Sequence, residues 1–98
     1  MSNTLINSSE VGDKLNELGP EWKLSDDQKL IIRQFNFKNY FQGIMFVNAV
    51  AWVAQEAKHH PDLEVNYGKV VVKFTTHDAG GLTEKDFASA KLVEDLFW

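Results

Sequence analysis

The chain has 98 residues, no cysteine, and 14 acidic against 10 basic side chains, for a formal net charge of −4. That length suits one domain, which at this size buries only about two-thirds of its unfolded surface and is often helped by a partner subunit. The acidic balance, with no basic run, excludes nucleic acid and an anionic membrane as the main partner, and the lack of cysteine excludes a disulfide framework and thiolate chemistry.

In chain order, the stretch Met1 to Asn7 lacks the basic start and long apolar segment of a secretory signal. Asn7 with Glu10 resembles a capping pair, with Ile6 and Val11 as a staple. Val11, Leu15 and Leu18 recur at helical spacing, and Gly19-Pro20 ends the segment, predicting a helix near 8–18. Trp22 and Leu24 alternate with polar residues, Asp26-Asp27 marks a turn, and Leu30 to Phe37 is rich in β-formers. A hairpin is expected there.

The segment from Asn39 to about Lys58 reads as a helix that is apolar over most of its circumference. Phe46, Val50, Val53 and Ala57 fall on one face, and Tyr40, Ile44, Val47, Ala51 and Ala54 on another. Phe41, Met45 and Trp52 widen the apolar surface. Such a helix needs cover on more than one side, and a second subunit is the expected cover. The apolar run from Ile44 to Ala54 is interrupted by Asn48 and too short to span a bilayer. A soluble, cytoplasmic protein is expected.

Pro61 biases His60 away from helical dihedrals, so the helix stops at Lys58 or His59. Leu63 to Tyr67 and Val70 to Thr76 form a second hairpin around Gly68. A period of two puts Val71, Lys73, Thr75 and His77 on one face and Val70, Val72, Phe74 and Thr76 on the other. Gly80-Gly81 turns the chain, and Thr83 with Asp86 fits a capping box opening a last helix that carries Phe87, Leu92, Val93, Leu96 and Phe97. The expected fold is α+β, ordered α-β-β-α-β-β-α, one domain over 1–98, with helices on one face of a four-stranded antiparallel sheet.

His59, His60 and His77 are the three histidines of the chain. Imidazole both gives and takes protons near neutral pH, so three of them at element ends suggest an acid–base site. A single histidine is more often a surface or capping residue. Zinc is disfavoured, because helical histidine ligands come three or four apart rather than adjacent, and no HExxH or cysteine is present. No Gly-x-Ser-x-Gly elbow and no phosphate loop occur.

The run Glu56-Ala57-Lys58-His59-His60-Pro61, then Tyr67, then Thr75-Thr76-His77-Asp78-Ala79-Gly80-Gly81-Leu82-Thr83 and Asp86, resembles the pterin-4a-carbinolamine dehydratase family. Arg33 to Tyr40 also resembles its second strand and helix start. The resemblance covers about residues 20–97. It implies an enzyme that removes water from 4a-hydroxytetrahydropterin to give quinonoid dihydropterin, recycling tetrahydropterin for aromatic amino-acid hydroxylases. No metal or other cofactor is implied.

By the same resemblance, His59 and His77 transfer protons and His60 orients the pterin. Lys58, Thr75, Thr76 and Asp78 match pterin-contacting positions, and Gln55, Glu56 and Asp86 match supporting ones. Asp86 is equally explained as a cap. The chain departs from the family at Gln55, where Glu is frequent, at Lys58, where Asn or Asp is common, and at Leu63, where an aromatic is common. A homotetramer built as a dimer of dimers, with the long helix in a four-helix contact, is also implied. The alternative implied by relatives is a non-enzymatic role, as a dimerisation cofactor or an assembly factor.

Overall fold

A computed structural model describes residues 3–97; the first two residues of the N-terminal stretch read above lie outside them. The elements are α1 (Ser8–Leu18), β1 (Lys23–Leu24), β2 (Ile31–Asn36), α2 (Tyr40–Ala57), β3 (Asp62–Asn66), β4 (Lys69–Phe74), a 3₁₀ turn at His77–Ala79, and α3 (Glu84–Glu94). The expected order is the observed one.

Each boundary has a local cause. The Asn7 side chain accepts the Ser9 N–H at the start of α1, and Gly19, at φ 117°, takes the chain out of it. In the β1–β2 turn, the Ser25 hydroxyl and the Lys29 N–H bond to Asp27 and hold its carboxyl below the ordinary carboxylate range. Asn39 caps α2 by accepting the Gln42 N–H at 2.9 Å. Thr83 and Asp86 form the expected capping box on α3.

The sheet order is β1-β2-β4-β3, antiparallel throughout. The two hairpins join through β2 and β4, in a register that sets Ile31 opposite Phe74, Arg33 opposite Val72, and Phe35 opposite Val70. The period of two sends Ile31, Phe35, Val70, Val72 and Phe74 into one core with Phe46, Val50, Phe87, Ala90 and Val93 from the helices. All three helices lie on that face of the sheet.

Two expectations change. The β4 alternation does not run on to His77: the strand ends at Phe74, Thr76 bridges to Gly81, and His77 opens the 3₁₀ turn. On α2 the buried stripe is Gly43, Phe46, Val50 and Ala54, a 3-4-4 spacing, so Ala54 faces the core while Ala57 is exposed. The helix tracks 3.6 residues per turn, and this selects Ala54 rather than Ala57 as the fourth member of the stripe.

Candidate active site

α2 ends with Lys58 in the left-handed region, at φ 56° and ψ 36°. The reversed turn lets the His59 N–H reach back to the Ala54 carbonyl at 3.2 Å, as in a Schellman ending. This aims the His59 ring inward. It stacks on Phe74, with centroids 5.9 Å apart and planes 12° from parallel. The side chain of His59 is 11% exposed, and its Nε2 lies 2.6 Å from Oδ1 of Asp86, which is fully buried.

Asp86 reaches His59 because it is the third residue of α3. Its other oxygen, Oδ2, accepts the Thr83 N–H at 2.9 Å and the Thr76 hydroxyl at 2.8 Å. The capping role and the supporting role, alternatives in the sequence, thus coexist on the two oxygens of one carboxylate. Thr76 and Thr83 are both buried, and their hydroxyls meet at 2.7 Å.

The other histidines neighbour this core along the chain, His60 after His59 and His77 after Thr76. His60 is exposed, with Nε2 3.2 Å from Oε1 of Gln55. His77 is exposed and follows directly on Thr76, so the Asp86 network ties the α2 end to the start of the 3₁₀ turn. Gly80, at φ 76°, closes that turn, and its N–H bonds the His77 carbonyl at 3.1 Å. Asp78 is exposed and Thr75 half-buried.

Thr76 is buried within the Asp86 network. Its hydroxyl is engaged by Asp86 and Thr83, and its N–H by the Gly81 carbonyl, so it supports the site from beneath. Glu56 and Lys58 are exposed. Lys58 holds the left-handed region that Asn and Asp tolerate best after glycine.

Sequence reasoning missed Phe74 as the floor beneath His59 and the Thr83 hydroxyl as part of the support. The capping-box spacing located Thr83, but nothing in it revealed the Thr76 contact. Among the described residues, no group of three or more His, Asp or Glu side chains could hold a metal ion.

A hollow of about 730 Å³ lies elsewhere, among Phe37, Phe41, Met45, Phe46 and Phe97. It contains none of the three histidines and offers no acid–base pair, so size alone does not mark the site.

Residues 4–96 match the family model described as pterin 4 alpha carbinolamine dehydratase. The chain belongs to this pterin dehydratase family. A Legionella pneumophila (strain Corby) protein, provisionally named a pterin-4-alpha-carbinolamine dehydratase, is 42% identical over 91 residues, 93% of this chain and 80% of that one. A Stenotrophomonas maltophilia relative with the same provisional name is 52% identical over 77 residues, 79% of this chain and 66% of its own.

Among solved structures, a transcriptional coactivator/pterin dehydratase from Brucella melitensis superposes with a TM-score of 0.91 at 28% identity. It covers 97% of this chain and 100% of its own. A pterin dehydratase-like protein described as a RuBisCO assembly factor of the alpha-carboxysome gives 0.68 at 22% identity, over 81% and 92%, and shares the fold alone.

Proposed function

We propose that this protein is a 4a-hydroxytetrahydrobiopterin dehydratase that acts in the cytoplasm and needs no metal or other cofactor. The observation that carries the reading is the His59 imidazole, nearly buried and held 2.6 Å from the Asp86 carboxylate, with His60 next in the chain and His77 next to Thr76 on the same network. The 4a-hydroxyl leaves poorly unless protonated, and a proton must leave a ring nitrogen. His59 and His77 exchange these protons and His60 orients the ring, each proton transfer contributing roughly 10²–10⁴-fold. Lys58, Thr75 and Asp78 line the rim, supported by Gln55 and Glu56. Purified protein should speed the loss of the 4a-carbinolamine absorbance and do so after exhaustive chelation. No acceleration would overturn the reading, and loss on chelation with rescue by zinc would replace it with metal chemistry.

The same family fold appears in proteins titled coactivator and assembly factor, which makes a non-enzymatic role the second reading. An inactive protein that retains the His59–Asp86 geometry would favour it.

Assembly is part of the proposal. Phe41, Met45 and Trp52 form an exposed apolar stripe on α2, with Phe41 at 71% and Trp52 at 68%. The same helix from three further copies would cover it in a four-helix contact, giving a tetramer built as a dimer of dimers. Val47 packs against the core, so the exposed Met45, which lies on the stripe itself, tests the contact more cleanly than Val47. Met45→Glu would bury an unpaired charge and should lower the sedimentation coefficient to that of a smaller species. A monomeric wild-type protein at micromolar concentration would remove the tetramer.

A further inference from the structure

Asp86 is ringed by donors. Its Oδ2 accepts the Thr83 N–H and the Thr76 hydroxyl. A hydroxyl has one proton, and Thr76 gives its proton to Asp86. The Thr83 hydroxyl, 2.7 Å from the Thr76 oxygen, must therefore donate to it. The Thr83 oxygen in turn accepts the Lys85 N–H at 3.3 Å. Every proton in this chain points towards Asp86, and an ionised carboxylate can only accept.

The remaining oxygen, Oδ1, faces Nε2 of His59 at 2.6 Å, so Nε2 carries hydrogen and Nδ1 carries the exchangeable lone pair. Among the described residues Nδ1 has no hydrogen-bond partner. The buried side-chain nitrogen or oxygen without a partner is Arg33 Nε, so Nδ1 of His59 reaches solvent.

We infer that Thr76, Thr83 and Asp86 are positioning residues that lock His59 in its Nε2-protonated tautomer and present Nδ1 as the base of the site. The substrate in this inference rests on the dehydratase reading; the tautomer is a property of the unliganded protein. In the reaction, Nδ1 takes the proton from the ring nitrogen beside C4a. The N–H electron pair becomes the new ring C=N bond as the C4a–O bond breaks. The departing hydroxyl takes a proton from a second imidazole and leaves as water. One proton is taken and one given, with no oxidant or reductant. The imidazolium formed on His59 faces the Asp86 carboxylate, which stabilises it as charge develops.

The test is the tautomer, read from the nitrogen-15 shifts and couplings of labelled histidine at alkaline pH, where the ring is neutral. His59 should carry its hydrogen on Nε2. In Asp86→Asn an amide N–H can face Nε2, so the hydrogen should move to Nδ1. In that variant kcat should fall roughly 10²–10⁴-fold with KM changed far less, as for a base in the wrong tautomer. Thr76→Val should lower kcat by about tenfold, and Thr76→Ser should restore most of the loss, because one charge-directed hydrogen bond is removed and returned.

A Nδ1-protonated His59 in the wild type would overturn the inference. So would Asp86→Asn with unchanged tautomer and kcat. If Asp86→Asn does not fold, the wild-type tautomer and the Thr76 pair still decide. If the wild type lacks dehydratase activity, the functional reading falls, while the tautomer measurements still test the positioning network.

Discussion

Two carboxylates on one helix serve opposite ends. Asp86 and Glu94 lie eight residues apart on α3, about 12 Å along its axis, and both turn towards the sheet. Asp86 meets an imidazole, a side chain with one nitrogen that can donate a hydrogen bond and one that can accept. Glu94 meets the Arg33 guanidinium, a permanent cation, and also accepts the Trp22 indole N–H at 2.8 Å. Arg33 in turn lies over the Phe35 and Phe97 rings, at 4.2 and 5.1 Å. A carboxylate with a fixed cation and aromatic walls ties β2, α3 and the C-terminal segment together. One with a titratable partner and an open nitrogen can do chemistry. The partner sets the role.

The largest expected effect breaks the Glu94 half of the comparison. Arg33→Met keeps apolar bulk over Phe35 and Phe97 but removes the cation. Glu94 would then keep one neutral donor in a site that is only 25% exposed. Removing one partner of a buried pair costs 3–5 kcal/mol, and partial exposure reduces this to about 2–3 kcal/mol. The melting temperature should fall by roughly 10–20 °C. Adding Glu94→Leu should recover much of it, since the charge is no longer stranded. A single variant as stable as wild type would show that the cluster contributes little. Turnover per folded molecule should not change; if it does, the two carboxylates are coupled.

The histidines divide along the same line. His59→Ala strands the buried Asp86, which keeps the Thr76 and Thr83 donors but loses its third partner. A loss of about 1–3 kcal/mol is expected in addition to a fall of at least about tenfold in rate. His77 is exposed, so His77→Ala should cost the same order in rate with stability within about 0.5 kcal/mol. Equal stability losses in calorimetry would mean that His59 is not the support's third partner. Unchanged turnover in either variant would remove that residue from the mechanism.

The element order and the capping residues Asn7 and Thr83 were legible because they depend on spacing along a few residues. Their consequences across the fold were not. Arg33 and Glu94 are 61 residues apart, and no local pattern pairs them. Asp86 was legible as a cap, because Thr83 stands three residues before it, but its second oxygen depends on where the α2 end falls in space. The three histidines were singled out through the family resemblance, and the period of two already set Thr76 on the core side with Phe74, where it is buried. The exposed stripe of α2 was legible only as an excess of apolar residues, since helical spacing decides which of them the core takes.

The smallest effect concerns how each carboxylate receives its partner. Arg33 arrives on a regular strand, and His59 arrives on a left-handed turn at Lys58. A side chain with a Cβ carries a steric cost there of the order of 1 kcal/mol, which asparagine partly escapes through its short polar group. Lys58→Asn should therefore raise stability by about 0.5 kcal/mol, a gain of a few degrees in melting temperature. Lys58→Val, β-branched and poorly suited to positive φ, should lower it and shift the His59 ring. If Lys58→Asn melts lower than wild type, the Lys58 side chain contributes more than its backbone costs. The turn would then be held by contacts of that side chain, and the delivery of His59 to Asp86 would depend on them as well as on the Schellman hydrogen bonds.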